Sequence, residues 1–187
     1  MALYYRSATR NLPDGYSFRG ATLHDISLVV ALFNQRQISG RAAAQVEEIR
    51  QEWQTPQFNP AMDVRLVFDP REHLIGYIEV WTVFSPPVQP WLWGCVHPDY
   101  EGRGIGTTLL RWAEARVRLA LDMLPAQERV APLFGAARAL ATAPALCAAL
   151  GWRRSSAKRP AADPSKKTTG ALRLLDDGAY DVYEKEM

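Results

Sequence analysis

The stretch that decides the fold is residues 96–108, which read Val-His-Pro-Asp-Tyr-Glu-Gly-Arg-Gly-Ile-Gly-Thr-Thr. An apolar run at 91–96 leads into it and an amphipathic run at 105–124 follows, so the pattern predicts a strand, a tight turn and a helix. Three glycines at alternate positions leave the backbone open to a ligand, and the first helical turn offers N–H groups at the positive end of the helix dipole. We call residues 102–107 the glycine turn. It predicts a site for phosphate or pyrophosphate.

Two common phosphate-binding loops fit this turn badly. A P-loop ends in Gly-Lys-Ser/Thr, but Gly106 is followed by Thr107 and Thr108 with no lysine. A dinucleotide fingerprint, G-x-G-x-x-G, needs its third glycine one residue later than Gly106. It also needs an acid at the end of a further strand, whereas Asp122 lies within the same predicted helix.

The neighbours of the glycines indicate a third kind of loop. An arginine lies between two of the glycines, Val-x-Pro precedes them, and Leu109-Leu110 follows. The hexapeptide Glu101-Gly102-Arg103-Gly104-Ile105-Gly106 resembles motif A of the GNAT superfamily of acyl-CoA-dependent N-acetyltransferases, whose signature is Gln/Arg-x-x-Gly-x-Gly/Ala. Both glycines of that signature match, and Glu101 stands where the family usually has Gln or Arg. The alternative is an ordinary glycine-rich turn before a helix.

Composition limits the classes of protein to consider. The chain has 187 residues, 48% hydrophobic and 22% charged, and a net charge of +2 that gives no indication of nucleic-acid binding. No apolar run approaches the ~20 residues that span a bilayer, and the N-terminus has no signal-peptide pattern. Cys95 and Cys147 do not suggest a disulfide framework. We expect a cytoplasmic protein, monomeric or homodimeric, with no nucleic-acid or membrane partner.

Further elements are predicted on both sides of the glycine turn. Apolar spacing and turn residues give the order β-α-α-β-β-β-α-β-α-β-β. Strands are predicted at 16–19, 64–68, 74–83, 91–96, 129–134, 172–175 and 180–184, and helices at 23–36, 42–53 and 105–124. The segment 136–150 is Ala- and Leu-rich and is predicted to be helical, with Pro144 marking a helix start near its middle. Residues 1–15 are expected to be a peripheral lead-in and residues 155–171 a mobile loop.

Three local signals refine these elements. Thr22 and Asp25 form a capping-box-like pair at the start of the first helix. Glu114 and Arg118 are expected to pair on the exposed face of the helix that follows the glycine turn. Gly151 is expected to end the last helix.

The predicted order is also the one that the GNAT resemblance implies, over residues 16–187. The resemblance implies an α/β (α+β) fold, with a twisted, mixed and mostly antiparallel sheet of about six or seven strands flanked by about four helices. Residues 51–63 and the stretch around the glycine turn also resemble one half of bacterial tandem GNAT proteins, a group that includes mycothiol-synthase-like enzymes. We predict a single acyltransferase domain over residues 1–187.

The resemblance assigns binding of acetyl-CoA, or another acyl-CoA, to the glycine turn, with no metal. Backbone N–H groups from Arg103 to Thr107 are expected to receive the coenzyme A pyrophosphate. An N–H near Val96 is expected to polarise the thioester carbonyl. The alternatives are a solvated side chain for Arg103 and a core role for Val96. The candidate cofactor-binding residues are Val96, Glu101, Gly102, Arg103, Gly104, Ile105, Gly106, Thr107 and Thr108.

Two side chains are candidates for general base. Glu79 lies mid-strand between apolar and aromatic neighbours, and partial burial would raise the pKa of its carboxyl toward a useful value. The alternative for Glu79 is a solvent-exposed strand position. His97 has a suitable ordinary pKa, but it lies before Pro98 in a turn, where a surface histidine is the more common finding. A chain of water molecules would remove the need for either.

The proton donor for the leaving thiolate is less clear. The GNAT resemblance implies a tyrosine four residues before Gly151, but Cys147 stands there, and Leu140 stands roughly where the family has an asparagine. Cys147 is a candidate acid, with a small buried helix residue as the alternative. One or both of Cys95 and Cys147 are also predicted to approach the coenzyme sulfur. The candidate catalytic residues are therefore Glu79, Val96 and Cys147.

The predicted activity is transfer of an acyl group, most simply acetyl, from acyl-CoA to a primary amine of a small molecule or a protein. Aromatic residues on the predicted acceptor side would form either an acceptor pocket or ordinary core; they are Trp53, Phe58, Trp81, Trp91, Trp93 and Tyr100. Two other interpretations are a non-catalytic acyl-CoA-binding or regulatory module and a GNAT-like half that needs a partner domain.

Overall fold

The computed structural model describes residues 12–35, 46–82, 90–123, 132–137, 143–155 and 180–186. Its strands are β1 (Ser17–Arg19), β2 (Val64–Phe68), β3 (Leu74–Trp81), β4 (Trp91–Val96), β5 (Leu133–Ala137), β6 (Arg153–Arg154) and β7 (Tyr180–Glu184). Its helices are α1 (Ile26–Gln35), α2 (Val46–Trp53), α3 (Pro60–Asp63), α4 (Ile105–Leu121) and α5 (Ala143–Ala149). Short 3-10 turns, Leu23–Asp25 and Pro98–Tyr100, precede α1 and the glycine turn.

The strands form one sheet in the order β1-β2-β3-β4-β5-β7-β6. Neighbouring strands are antiparallel except for β4 and β5, which run parallel. This arrangement confirms the predicted fold class, a mixed and mostly antiparallel sheet flanked by helices. Among the described helices, none is long and apolar enough to cross a membrane.

Helices cover both faces of the central strands. Helix α4 packs its apolar stripe on one face, where Ile105, Leu109 and Val117 meet Ile78 and Val80. The other face is covered by α1 and α2 and is rich in aromatic side chains. Every residue of β2 and β3 is therefore buried. This burial is the reason why the solvent-exposed alternative for Glu79 is wrong.

Several element boundaries differ from the predicted ones. β5 begins after Pro132, which has no N–H to donate to a ladder, and it runs to Ala137. Ala136 therefore belongs to a strand, and the last helix begins at Ala143, beside the predicted start at Pro144. Helix α4 ends at Leu121. The strand predicted at 172–175 lies outside the described residues, as do most of the predicted loop 155–171 and most of the lead-in.

The predicted caps are present. The Thr22 N–H donates to Asp25 Oδ2 at 2.8 Å, as in a capping box. Gly151 adopts a left-handed φ of +78° and ends α5. The Trp152 N–H then donates to the Cys147 carbonyl at 2.8 Å, which turns the chain toward β6.

Glu114 of α4 is buried, so its predicted place on the exposed face is wrong. Its Oε1 accepts hydrogen bonds from Trp152 Nε1 at 2.7 Å and from Lys185 Nζ at 2.9 Å, and Arg118 lies farther away at 3.9 Å. Lys185 Nζ also donates to the Leu150 carbonyl. One carboxylate thus ties α4 to the end of α5 and to the residues that follow β7.

Replacement of Glu114 by alanine is expected to lower the free energy of unfolding by about 3 kcal/mol, because it leaves a buried indole N–H without its acceptor and a largely buried ammonium without its carboxylate partner. Arg118→Ala is the matched control, since it removes only a long, half-exposed contact and is expected to cost less than about 1 kcal/mol. Urea unfolding followed by circular dichroism measures both. Equal losses for the two variants would contradict the role given to Glu114.

Candidate active site

The paired strands β4 and β5 diverge where β4 approaches the glycine turn. Their parallel pairing extends only from Trp91 to Trp93 on β4, opposite Leu133 to Gly135. The remaining part of β4, Gly94–Val96, continues to pair with β3 on its other side. A cavity of about 340 Å³ begins at this divergence and reaches the glycine turn.

The direction of the backbone amides in β4 follows from one hydrogen bond. The His97 N–H donates to the Ile75 carbonyl at 2.8 Å, so residue 97 points its amide toward β3. Amide directions alternate along a strand of an antiparallel pair. The amides of Gly94 and Val96 therefore face the diverging side, where both residues line the cavity.

The glycine turn presents the N-terminus of α4 to the same cavity. Gly102 and Gly104 have φ values of +74° and +81°, a backbone conformation that glycine adopts without steric cost. At this end of the helix the Thr108 N–H donates to the Gly104 carbonyl, at 3.0 Å. The amides of Ile105 to Thr107 precede it in the helix, and such amides have no acceptor within their own helix. Residues 104–107 all line the cavity.

A family model described as an acetyltransferase (GNAT) domain matches residues 64–153. The matched segment contains β2 to β5, the glycine turn and the cavity between them. The chain belongs to the GNAT superfamily. The resemblance found in the sequence is thereby confirmed.

Solved GNAT structures share the fold. The GCN5-related N-acetyltransferase from Sphaerobacter thermophilus is 26% identical in sequence, with a TM-score of 0.67. The match covers 76% of this chain and 45% of the length of the Sphaerobacter protein. A GNAT-family acetyltransferase from Streptococcus pneumoniae is 14% identical in sequence, with a TM-score of 0.63. That match covers 92% of this chain and 99% of the Streptococcus chain. The Salmonella typhimurium protein yncA, solved with its cofactor acetyl-CoA, is 15% identical in sequence, with a TM-score of 0.60. The match covers 91% of this chain and 92% of the yncA chain. No curated protein sequence matches the chain.

Most of the predicted cofactor-binding residues of this GNAT domain line the cavity: Val96, Glu101, Gly102, Gly104, Ile105, Gly106 and Thr107. Arg103 and Thr108 are not part of that lining. The Arg103 guanidinium lies over the Tyr100 ring, 4.8 Å from its centroid, and donates to the Asp99 carbonyl at 3.0 Å. Thr108 is fully buried, and its N–H is already bonded within α4.

Glu79 lies behind the cavity wall rather than on it. Its carboxylate is 1% exposed and accepts a hydrogen bond from the Tyr77 hydroxyl at 2.5 Å, and Tyr77 lines the cavity. Burial raises the pKa of Glu79 to about 7, and the hydrogen bond from Tyr77 offsets part of that rise. Burial and the nearby Glu79 charge raise the pKa of Tyr77 well above its ordinary value. Sequence analysis found Glu79 but did not find its partner.

The structure does not bring Cys147 to the cavity. Its side chain is fully buried, burial raises the pKa of its thiol to about 12, and its neighbour Leu146 lines the cavity instead. Cys95 does line the cavity, beside Val96. The two cysteines are therefore placed differently with respect to the site.

His97 has a local structural contact rather than a place on the cavity wall. Its Nδ1 accepts a hydrogen bond from the Asp99 N–H at 3.2 Å and so caps the 3-10 turn before the glycine turn. That nitrogen is occupied as an acceptor and is not directed to a substrate.

The aromatic residues on the predicted acceptor side are mainly core. Five of them are buried: Trp53, Phe58, Trp81, Trp91 and Trp93. Phe58 stacks on Trp81 with ring centroids 4.1 Å apart, and the edge of Phe33 meets Trp93 at 4.6 Å. Of the six predicted, only Tyr100 lines the cavity.

One contact of Tyr100 had no signal in the sequence. Its hydroxyl donates to Asp69 Oδ2 at 2.7 Å, across 31 residues of chain. Asp69 was predicted only as part of the turn between β2 and β3. Its position beside the glycine turn depends on the pairing of β2, β3 and β4, which a local pattern does not specify.

Proposed function

We propose that this GNAT protein is an acyl-CoA-dependent N-acyltransferase that moves an acetyl group from acetyl-CoA to a primary amine of a small molecule or a protein. The observation that carries the proposal is a single cavity in which the glycine turn at the N-terminus of α4 meets the diverging end of β4. The yncA structure, which contains acetyl-CoA, supports the choice of donor.

Two backbone segments would hold the donor. The amides of Ile105, Gly106 and Thr107 would bind the diphosphate at the positive end of the α4 dipole. Gly94 and Val96 would offer their backbone to the pantetheine amides, as a strand edge does to an added strand. The Val96 N–H would then donate to the thioester oxygen as negative charge develops there.

The Tyr77–Glu79 pair would receive the proton of the amine. The amine nitrogen bonds to the carbonyl carbon while its proton passes to Tyr77 Oη, and the tyrosine's own proton passes to Glu79 Oε2. The C–S bond then breaks, and sulfur leaves as the coenzyme A thiolate. Since burial gives Glu79 a pKa of about 7, the carboxylate is basic enough to accept a proton near neutral pH and is substantially ionised there.

Release of coenzyme A thiol from acetyl-CoA tests the proposal. The protein is incubated with acetyl-CoA and a panel of polyamines, amino acids, amino sugars and lysine peptides, and an amine-free reaction is subtracted. Amine-dependent thiol release with an N-acetyl product, found by mass spectrometry, is the expected result. Binding of acetyl-CoA without turnover across the panel would favour the non-catalytic acyl-CoA-binding module.

A further inference from the structure

Tyr100 is held by three contacts immediately before the glycine turn. Its hydroxyl donates to Asp69 Oδ2 at 2.7 Å. Its ring lies under the Arg103 guanidinium, 4.8 Å from Cζ, and meets the edge of the His97 ring at 5.5 Å. The tyrosine itself lines the cavity. It therefore connects the β2–β3 turn to the proposed diphosphate site.

Asp69 is a rigid anchor for this tyrosine. Its side chain is only 4% exposed, and its Oδ1 accepts the backbone N–H groups of Arg71 at 2.9 Å and of His73 at 2.8 Å. Its Oδ2 accepts from Tyr100 and lies 3.2 Å from His73 Nδ1. One oxygen thus fixes the β2–β3 turn and the other reaches across to Tyr100.

The start of the glycine turn needs such an anchor, because Gly102 is exposed and only Ile105, farther along, is packed in the core. A Cβ placed at Gly102 would meet nothing within 4 Å, and both Gly102 and Gly104 occupy a left-handed conformation that they can readily leave. Helix α4 fixes the turn on one side. Tyr100, two residues before Gly102, is placed to fix it on the other.

We propose that Tyr100 is a positioning residue for diphosphate binding: Asp69 fixes the tyrosine, and the tyrosine fixes the glycine turn and the Arg103 guanidinium for an anionic diphosphate group. The proposal rests on the proposed use of acyl-CoA. Without this anchor, the glycine turn would spend less time in the conformation in which its amides and the Arg103 guanidinium can bind a diphosphate. Affinity for diphosphate ligands would fall accordingly, while the pantetheine arm along β4 would be unaffected.

Tyr100→Phe separates these effects, because it keeps the ring and deletes only the hydroxyl. Calorimetric titrations of the full chain are made with coenzyme A and with pantetheine, which lacks the diphosphate. The dissociation constant of coenzyme A is expected to rise about 10-fold, as for loss of one hydrogen bond to a carboxylate, and that of pantetheine to stay within about 2-fold. Tyr183→Phe, which removes the hydroxyl of a buried β7 tyrosine that is not part of the described cavity lining, is the matched control and should leave both constants unchanged.

Each other outcome has a distinct meaning. If Tyr100→Phe binds coenzyme A as tightly as the unchanged protein, the positioning role is overturned and the proposed function stands. If both ligands weaken equally, the hydroxyl has a general structural role and the proposal is again overturned. If the unchanged protein binds no coenzyme A, the inference and the proposed function fail together.

Discussion

Glu79→Gln is expected to lower kcat/KM for the proposed acetyl transfer by about 10²- to 10⁴-fold at pH near 8, the range for loss of a general base. This is the largest effect on rate expected from a single substitution in the protein. Glutamine keeps the volume of the buried side chain, and its amide oxygen can still accept the Tyr77 hydroxyl proton in a hydrogen bond. It has no basicity to take that proton during the reaction. Initial rates with the best acceptor from the amine panel measure the change.

The pH dependence of the same variant identifies the base. In the unchanged protein kcat/KM is expected to rise with pH around the Glu79 pKa of about 7, and this limb should be missing in Glu79→Gln. Glu114→Gln is the matched control, because Glu114 is also a buried carboxylate but its hydrogen-bond partners, Trp152 and Lys185, do not line the cavity. If kcat/KM of Glu79→Gln still rises with pH around 7, that rise reflects titration of the acceptor amine or of another group.

Glu79 should also make stability depend on pH. The ordinary pKa of its carboxyl is 4.5, and its pKa in the fold is about 7. Between these values the folded chain keeps a proton that the unfolded chain releases, so the free energy of unfolding falls as pH rises through this window, by about 3 kcal/mol in total. Urea unfolding at about pH 5 and about pH 8 should show a loss of this size relative to Glu79→Gln. Parallel pH profiles would contradict the raised pKa.

The second large effect is expected at the glycine turn. Gly106→Leu should weaken acetyl-CoA binding by about 100-fold, because the new side chain would project where Gly106 lines the cavity and would obstruct approach to neighbouring amides. Calorimetric titration with acetyl-CoA measures the loss, and thermal unfolding checks that the variant is folded.

Gly106→Ala is the matched control for that substitution. A Cβ at this position would lie 3.2 Å from Leu146 Cδ2, the end of a flexible side chain, and 3.8 Å from Val96 Cγ2. Alanine is also the better helix former, so stability should rise by up to about 1 kcal/mol while affinity stays within about 3-fold. A loss in Gly106→Ala as large as that in the leucine variant would show that backbone freedom, rather than space, matters at residue 106.

What could be predicted from the sequence was local in nature. Three patterns depend only on neighbours within a few residues: the glycine spacing, the apolar stripe of α4 and the alternation in β3. The bounds predicted for α4 and β3 were close to those observed. The boundary errors have local causes too. Pro132 moved the start of β5, and the alanines at 136 and 137 continued that strand although alanine favours helices.

The parts of the site that were missed depend on long-range pairing. Glu79 was a candidate from the sequence, but its partner Tyr77 was missed. Glu79 lies opposite Val64 in β2 and Trp93 in β4, and only the covering of both sheet faces by helices buries it beside Tyr77. Cys147 was a candidate from a count of residues back from Gly151, and the structure places it as its alternative described, a small buried residue of a helix. The rotation of α5 directs Leu146 to the cavity instead.

The order of strands in the sheet has a consequence for how the molecule is made. β7 lies between β5 and β6, so β5 gains its second neighbour from residues about 50 positions further along the chain. During synthesis, the strand that bounds the β4–β5 gap therefore stays half-paired until residues 180–184 have left the ribosome. Non-local pairings of this kind form slowly, and unpaired strand edges attract other chains. The cavity proposed to bind acetyl-CoA is thus expected to be completed among the last steps of folding, with aggregation favoured if synthesis pauses before β7.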